Sequence, residues 1–209
     1  MSTSPFYTSI YLYDFNSKKL AQLTDFDNCN HSQISPDGKK ISFLNILDFY
    51  IMDLNGSNKK LISSNVRGFY DWSPNNDKIV YAGFGDNNQV KVFIMDNNGK
   101  NIKMLAEGTN PKWTLDGKKI IYFLSKTDSD LSEIWIMNYD GTNKRKLINE
   151  SDIDYDISIS PDSKFVLYMI FLDCIWCSEL SIIDIETGKI KKLSNGRQYD
   201  KYPSFIGNN

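Results

Sequence analysis

The side chains of this sequence that are best suited to redox chemistry or metal binding are those of its three cysteines and its single histidine. Cys174 and Cys177 are separated by two residues, which is the spacing of redox-active thiol pairs and of one half of a zinc site. A redox pair is expected at a helix N-terminus, and a zinc site needs two further ligands, for which Cys29 and His31 are the candidates. Such a site forms only if two loops from units that are separated around the fold meet. We therefore interpret Cys174 and Cys177 as apolar hairpin residues and expect no metal and no cofactor.

Familiar catalytic motifs are missing from the sequence. It contains no Gly-x-Ser-x-Gly nucleophile turn, no His-Glu-x-x-His metal motif and no glycine-rich phosphate loop. Residues 128–133 alternate oxygen-bearing side chains, but they lack the central glycine and the spacing of a calcium loop. A single histidine restricts the options for acid–base catalysis. These observations favour a protein without catalytic activity, and an enzyme stays open as the alternative.

Four acidic or amide residues recur at one position of a repeated turn. A ring of such side chains could hold a ligand. However, Pro and Asp at these positions initiate turns, and the Gly that follows adopts positive φ. We interpret the four residues as turn formers rather than as ligands. They are Asp37, Asn75, Asp116 and Asp162, in the stretches ISPDGKKISF, WSPNNDKIVY, WTLDGKKIIY and ISPDSKFVLY.

The same turn defines a sequence repeat. It is anchored at Ile34, Trp72, Trp113 and Ile159, and a fifth anchor, Phe205, lies near the C-terminus. Spacings of 38, 41, 46 and 46 residues are typical of four-stranded propeller blades. Each unit contains a strand ending at the anchor, an apolar strand such as KIVYA, a strand ending in Asp or Asn, and a final strand. The sequence therefore predicts an all-β protein with one domain over residues 1–209, a five-bladed β-propeller of four-stranded antiparallel blades.

The two ends of the chain are predicted to share one blade. Residues 9–24 match the third and fourth strands of a unit (C and D), whereas residues 202–209 match the first strand (A) and then stop. From Phe205 through both termini to Ile34 the count is 38 residues, one repeat length. We expect the closing blade to combine strand A from the C-terminus, strand B from residues 4–8, and strands C and D from residues 9–24. Main-chain hydrogen bonds in such a blade would join the ring and remove two exposed sheet faces.

The repeat resembles the WD40-like repeat of the TolB-type propellers. That repeat has an aromatic residue before Ser-Pro-Asp-Gly and Lys-apolar-apolar-Phe/Tyr, followed by Ile-Tyr-x-x-Asp and a short Leu-Thr-like strand. WSPNNDKIVY with VFIMD, and the junction AQLTDFDNCNHSQISPDG, carry this pattern here. The resemblance covers essentially the whole chain and implies a propeller fold. Relatives include the partner-binding propeller of the Tol system, substrate-gating propellers of prolyl-oligopeptidase-like peptidases, and oligosaccharide-processing enzymes. These propellers usually have six blades, whereas this sequence has material for five and none for a second domain.

Propeller ligands usually meet the loops that join strand D of one blade to strand A of the next, together with the B–C loops. In this sequence the D–A loops contain aromatic residues, arginine and carboxylates, a composition suited to binding a protein, a peptide or a sugar. Alternatively, the aromatic residues cover the ends of the blade cores and the charges face water. The predicted partner-binding residues are Asp27, His31, Arg67, Phe69, Tyr70, Asp154, Tyr155, Asp156, Arg197, Tyr199, Asp200 and Tyr202.

Charge and hydropathy limit the choice of partner. With 24 basic and 26 acidic residues and a net charge of -2, the chain has no electrostatic reason to bind nucleic acid or an anionic membrane. No apolar run approaches the roughly 20 residues that span a bilayer. The N-terminus lacks the basic and apolar regions of a signal peptide. We expect a monomer that is cytoplasmic if the chain is full length, and periplasmic or secreted if a leader was removed.

The favoured function is that of a non-catalytic binding propeller that recognises a protein or peptide at the mouth of its channel. The alternative is a carbohydrate-active hydrolase or lyase with carboxylates at that mouth. Paired carboxyl groups lie about 5–5.5 Å apart in retaining glycosidases and about 6.5–9.5 Å apart in inverting ones. A shallow mouth lined with aromatic side chains would favour the binding function.

Overall fold

A computed structural model of the chain describes residues 8–25, 28–86, 88–125, 131–151, 153, 156–172, 177–196 and 203–205. Regular structure in these ranges consists of strands and turns, and none of it is a helix that could span a membrane. The strands are β1 (Tyr11–Asp14), β2 (Lys19–Gln22), β3 (Cys29–Ile34), β4 (Lys40–Asn45), β5 (Asp48–Asp53), β6 (Lys60–Ser63), β7 (Val66–Trp72), β8 (Lys78–Phe84), β9 (Val90–Asp96), β10 (Lys103–Glu107), β11 (Thr109–Trp113), β12 (Lys119–Ser125), β13 (Leu131–Asn138), β14 (Arg145–Ser151), β15 (Ser158–Ile159), β16 (Phe165–Phe171), β17 (Ser178–Asp184) and β18 (Ile190–Lys192).

All but two of these strands form four-stranded sheets in which the strands follow one another in chain order. We name the sheets blade 1 (β3–β6), blade 2 (β7–β10), blade 3 (β11–β14) and blade 4 (β15–β18), and refer to the strands of each as A to D. The remaining pair, β1 and β2, forms a two-stranded antiparallel ribbon, the N-terminal ribbon. The sheets confirm the all-β prediction, and four blades with the ribbon fit a propeller of five blades.

The chain divides into two compact units, each with its own core. The first unit is residues 1–104 and the second is residues 105–209, so the boundary falls within β10. In the first unit, Phe49 of blade 1 and Ile79 of blade 2 belong to one buried cluster. In the second unit, Phe123 of blade 3 belongs to a cluster that extends into blade 4. Burying one such large side chain stabilises the fold by roughly 1.5–3 kcal/mol.

The B strands are buried on both faces. In β8 the residues from Ile79 to Ala82 are each at most 4% exposed. Because successive residues of a strand point to opposite faces of the sheet, both faces of blade 2 are covered at this strand. The continuous apolar runs that mark strand B in the sequence therefore reflect packing on two sides.

The A–B turns confirm the interpretation of the Ser-Pro-Asp-Gly motif. In blades 1, 3 and 4 a serine or threonine hydroxyl donates to the aspartate two residues further on. The same hydroxyl oxygen in blade 1 accepts the amide of Lys40 at 2.9 Å. Gly38 and Gly117 take positive φ angles of 71° and 70°, as expected in such turns. The pairs are Ser35–Asp37, Thr114–Asp116 and Ser160–Asp162, at 2.7, 2.7 and 2.6 Å.

Blade 2 differs from the other blades in this turn. The hydroxyl of Ser73 donates to Oδ1 of Asp77 at 3.0 Å, and Asn76 takes the positive φ of 64°. In the sequence Asn75 aligns with the aspartates of the other blades. In the structure Asp77, and not Asn75, accepts the hydrogen bond from the Ser73 hydroxyl. The turn keeps its shape because Asn tolerates the left-handed region better than most residues.

The N-terminal ribbon occupies the C and D positions of a further blade. The amide of Cys29 donates to the carbonyl of Thr8 at 3.0 Å, and at the corresponding place one blade on the amide of Val66 donates to the carbonyl of Leu47 at 3.0 Å. Each bond joins the B–C end of one blade to the start of strand A in the next. This repetition agrees with the prediction that residues 9–24 form strands C and D.

The rest of the closing blade stays a prediction. Residues 4–7 and 206–209, which are predicted to contribute to strands B and A, lie outside the described residues. Phe205 lies in the described segment 203–205, which has no strand pairing.

Candidate functional site

Strand A of blades 1 to 3 carries a β-bulge near its start. In each, two pairing residues are further apart in strand A than their partners are in strand B, so the residues between them leave the ladder. Bulges of this kind redirect side chains at the end of a sheet. The bulges hold His31 in blade 1, and Arg67 and Phe69 in blade 2. The register changes lie between Asn30↔Leu44 and Gln33↔Ser42, between Val66↔Gly83 and Tyr70↔Tyr81, and between Thr109↔Phe123 and Lys112↔Ile121.

Left-handed backbone conformations shape these bulges. The φ angles are 50° at His31, 71° at Gly68 and 47° at Asn110. This region is open to glycine and is uncommon for residues with a side chain. A Cβ atom placed on Gly68 would lie 3.9 Å from Cε1 and Nε2 of His31. The bulges of blades 1 and 2 therefore meet where the imidazole lies beside the glycine backbone.

The imidazole of His31 is exposed and is held through one nitrogen. Its Nδ1 lies 2.8 Å from Oδ1 of Asn30, and its ring meets that of Phe69 edge-on with 6.3 Å between centroids. An amide oxygen only accepts hydrogen bonds, so Nδ1 carries the proton and donates it. In the neutral ring Nε2 is then an acceptor. Within the described part of the chain, Nε2 has no hydrogen-bond partner.

A chain of hydrogen bonds runs from the core to the main chain of His31. The indole N–H of Trp72 donates to Oγ of Ser42 at 2.8 Å, and the Ser42 hydroxyl donates to Oη of Tyr70 at 3.1 Å. The Tyr70 hydroxyl in turn donates to the main-chain carbonyl of His31. The amide of Gln33 donates to the carbonyl of Tyr70 at 3.0 Å. Buried hydrogen-bond networks favour a single arrangement. The hydrogen bonds of Tyr70 therefore fix the main chain of the bulge in blade 1.

Tyr70 lies beneath the surface that it supports. Its side chain, predicted from the sequence to bind a partner, is 5% exposed, and its ring packs edge-on against Phe49 with 4.6 Å between centroids. Burial raises the pKa of the Tyr70 phenol, so the hydroxyl stays protonated and remains a donor. The structure thus gives Tyr70 a positioning contact with His31.

Arg67 lies over an aromatic ring of the neighbouring B–C hairpin. Its guanidinium carbon is 5.1 Å from the ring centroid of Phe84, a cation–π contact. The side-chain amide of Asn65 donates to the carbonyl of Phe84 at 2.7 Å and accepts its N–H at 3.4 Å. This pair of bonds fastens the hairpin to the start of strand A. Among the described residues no carboxylate forms an ion pair with Arg67. Asp48 and Asp86, on the two adjacent hairpins, do not pair with it either.

Exposed apolar side chains border the two bulges. Phe69 is 36% exposed, and Ile46 and Leu47, in the B–C turn of blade 1, are 68% and 37% exposed. The bond from Val66 to the Leu47 carbonyl places this turn beside the bulge of blade 2. Grouped apolar surface of this kind often marks an interaction site. We call the following set the bulge face: His31, Ile46, Leu47, Arg67, Phe69 and Phe84.

The structure brings together four of the twelve predicted binding residues, namely His31, Arg67, Phe69 and Tyr70. In the second unit Asp156 is exposed just before strand A of blade 4. The remaining predicted residues lie outside the described residues: Asp27, Asp154, Tyr155, Arg197, Tyr199, Asp200 and Tyr202.

Sequence reasoning missed the residues that hold the bulges in place. Asn30, Gly68 and Phe84 were not among the predicted residues, although they orient His31 and Arg67. Gly68 carried a usable signal, because a glycine within a strand pattern often marks a bulge. The contacts of Asn30 and Phe84 depend on neighbouring strands, and no local pattern reveals them.

Cys177 differs from its interpretation as an apolar hairpin residue, and Cys174 lies outside the described residues. Cys177 is disulfide-bonded, whereas Cys29 is not part of a disulfide and is 4% exposed. A sulfur in a disulfide is not a thiolate, so Cys177 in this state is no zinc ligand. Over the described ranges, no group of three or more His, Cys, Asp or Glu side chains is arranged to hold a metal ion.

Two buried carboxylates in the second unit are each paired with a lysine. Glu133, 2% exposed, accepts the indole N–H of Trp135 at 2.7 Å and lies 3.5 Å from Nζ of Lys146. Glu179, 8% exposed, lies 2.9 Å from Nζ of Lys192. Both occupy strand C near the B–C end of their blades. A buried carboxylate with a lysine partner is satisfied within the fold.

Comparison with known proteins gives one curated relative and several similar structures. No family model matches the chain. Dipeptidyl-peptidase 5 of Porphyromonas gingivalis is 27% identical over 158 residues, covering 65% of this chain and 22% of that protein. TolB from Acinetobacter baumannii superposes with a TM-score of 0.69 at 19% identity, covering 91% of this chain and 50% of that one. An oligogalacturonate lyase in complex with manganese gives a TM-score of 0.74 at 16% identity, covering 89% of this chain and 58% of that one.

This chain spans less than two thirds of the length of each of these proteins. At such identities the two superpositions show the fold alone. The four meander sheets, the repeated A–B turn and the superposition on TolB agree with one another. The chain therefore has the fold of the TolB-type β-propellers.

Proposed function

We propose that this chain is a non-catalytic binding module that docks a protein or peptide on the bulge face. The observation that carries the proposal is that exposed His31 and Phe69 lie on bulges whose main chain is fixed by buried hydrogen bonds. A surface that is ordered before binding loses less conformational entropy when a partner docks. Aromatic and arginine side chains are also the residues that most often dominate binding energy at protein interfaces.

The position of the apolar residues supports a macromolecular partner. Small-molecule sites are concave and enclose most of their ligand. Ile46 and Leu47 instead stand on a hairpin turn, where they are exposed by 68% and 37%. A partner large enough to cover the hairpin would remove this surface from water, at about 25 cal/mol for each Å² of apolar area buried.

The carbohydrate-active alternative has less support. It needs two carboxylates that face a common substrate. Glu133 and Glu179 are buried, and each already pairs with a lysine. Turnover of an oligogalacturonide by the purified protein, abolished by replacing either glutamate with glutamine, would favour the enzyme instead.

Affinity capture followed by quantitative mass spectrometry tests the proposal. Wild type is compared with Phe69→Ala and with Leu61→Ala, which removes a side chain that is 44% exposed on strand D of blade 1 and is not part of the bulge face. Truncating an interface hot spot weakens binding by about 2 kcal/mol or more, or roughly thirtyfold. We expect the main captured partner to be lost from Phe69→Ala and retained by Leu61→Ala. Equal recovery with wild type and Phe69→Ala would contradict the proposal.

A further inference from the structure

The bulge face indicates what chemical group a docked segment should carry. We propose that Arg67 binds the carboxylate of an aspartate or glutamate side chain in that segment. This inference rests on the proposed function and specifies the partner at the same site.

The contact between Arg67 and Phe84 positions the guanidinium while leaving its donors available. A guanidinium has five N–H groups in a fixed planar arrangement that matches the two oxygens of a carboxylate. The ring contact at 5.1 Å uses the face of the aromatic ring and none of these N–H groups. Among the described residues no hydrogen bond or ion pair occupies them. Arg67 is thus oriented by one interaction and open to another.

The charge environment of Arg67 leaves its guanidinium without a carboxylate partner among the described residues. Several lysines of the first unit have a carboxylate partner within the fold, whereas Arg67 has none among the described residues, although Asp48 and Asp86 lie on the hairpins beside it. A bidentate arginine–carboxylate pair is shorter and stronger than a neutral hydrogen bond. The paired lysines are Lys40 with Asp53, Lys59 with Asp25 and Lys78 with Asp96, at 3.1, 3.0 and 3.0 Å.

The neighbouring residues describe the rest of the segment. Nε2 of His31 has no hydrogen-bond partner among the described residues and suits a main-chain polar group of the partner, while Phe69 suits an apolar side chain. The face continues on both sides of the bulges, with exposed Ile46 on blade 1 and half-buried Phe84 on blade 2. A segment that crosses this face therefore extends beyond Arg67. This favours a side-chain carboxylate over the carboxylate of a chain end.

A peptide-display selection tests this assignment. Random short segments, flanked on both sides so that no chain end is free, are selected on the wild-type protein. Selected segments are then titrated by fluorescence anisotropy against wild type and the variants Arg67→Gln, Arg67→Lys, Phe69→Ala and Lys100→Gln. Lys100 is an exposed cation on the C–D turn, at the opposite end of β9 from the hairpin that carries Phe84. It therefore controls for the loss of one positive charge.

We expect the selected segments to share an aspartate or glutamate next to an apolar residue. Arg67→Gln should weaken binding by about tenfold or more, because a charged hydrogen bond is lost. The affinity of Arg67→Lys should lie between those of wild type and Arg67→Gln, since lysine keeps the charge without the planar pair of donors. Replacing the acidic residue of the segment by its amide should remove most of the difference between wild type and Arg67→Gln. Lys100→Gln should bind like wild type.

Different failures have different meanings. Selected segments without acidic residues, or equal binding by wild type and Arg67→Gln, would overturn the carboxylate assignment. The proposed function would still stand in that case if Phe69→Ala weakened the binding of the segments. Preference for a free C-terminal carboxylate in a parallel library with open ends would overturn the side-chain assignment. If no segment bound, or if neither Phe69→Ala nor Arg67→Gln changed binding, the proposed function would fail as well.

Discussion

The hydroxyl of Tyr70 in blade 2 donates a hydrogen bond to the main-chain carbonyl of His31 in blade 1. A side chain that is almost fully buried thereby holds the backbone beneath an exposed one. The same hydroxyl accepts a hydrogen bond from Ser42, which is bonded to Trp72 in the core. The two bulges are therefore coupled to the packing between blades 1 and 2.

Removing the Tyr70 hydroxyl should weaken both the fold and the site. Tyr70→Phe keeps the ring but leaves the His31 carbonyl and the Ser42 hydroxyl without this partner, which costs about 1–3 kcal/mol of unfolding free energy. Urea denaturation measures this loss. Tyr13→Phe is the matched control, because Tyr13 is 47% exposed and its hydroxyl has no hydrogen bond among the described residues. Equal unfolding free energies for Tyr70→Phe and the control would show that the chain of hydrogen bonds contributes little.

The start of strand A in blade 2 should be sensitive to Gly83. A Cβ atom at this glycine would lie 2.6 Å from the main-chain oxygen of Asn65, so Gly83→Ala must displace the residue that fastens Phe84. We expect a loss of about 1–3 kcal/mol of stability, together with weaker binding at the bulge face. Gly38→Ala is the control: it lies in an A–B turn with positive φ and open space around it, so it should lower stability without changing binding. Unchanged binding by a folded Gly83→Ala protein would contradict the close approach described here.

Aspartates at the C–D turns should make the fold sensitive to acid. The hydrogen bond from the Lys78 ammonium, followed by that from Asn101, lowers the pKa of Asp96 from its usual value of 3.8. A carboxylate with a lowered pKa in the folded state stabilises the fold above its unfolded pKa, and this contribution is lost as the pH falls through the folded pKa. Thermal melting should therefore show stability falling as the pH drops below about 4, the unfolded pKa, with a smaller fall in Asp96→Asn. Asp86→Asn, which changes an exposed carboxylate with no bond among the described residues, should keep the wild-type profile.

The sequence predicted the features that depend on a few neighbouring residues. The Ser35–Asp37 hydrogen bond and the positive φ of Gly38 lie within one short turn, so their residue types were sufficient. The bulges depend instead on how strand A aligns with strand B. Because of this alignment Arg67 and Phe69 lie in strand β7, whereas the sequence predicted them in a loop. Residue types alone do not specify that register.

The burial of Tyr70 shows the same limit in another way. Its hydroxyl partners, Ser42 and the His31 carbonyl, come from the preceding blade. An aromatic residue near a predicted loop could equally face water or the core, and only the packing of two blades decides between them. The sequence placed Tyr70 beside Phe69 in one loop, but it did not separate the exposed Phe69 from the residue that supports it.

The predicted closing blade can be tested by truncation. Deleting residues 202–209 should remove the strand that is predicted to pair within the blade of the N-terminal ribbon. We expect the melting temperature to fall by roughly 5–10 °C or more, or the protein to aggregate, because a lost strand removes several kcal/mol and leaves a sheet edge open. Deleting only residues 208–209 provides the control. An unchanged melting temperature in the longer deletion would contradict the shared blade.

The most direct test of docking on the bulge face is an amide chemical-shift titration of the ¹⁵N-labelled protein with the tightest segment from the display selection. We expect the largest shift changes in residues 29–33, 46–47, 66–70 and 84–86, with little change in the turns at 35–38 and 96–100, at the opposite end of the strands. The largest changes at those turns, with the bulge residues unaffected, would contradict docking on the bulge face.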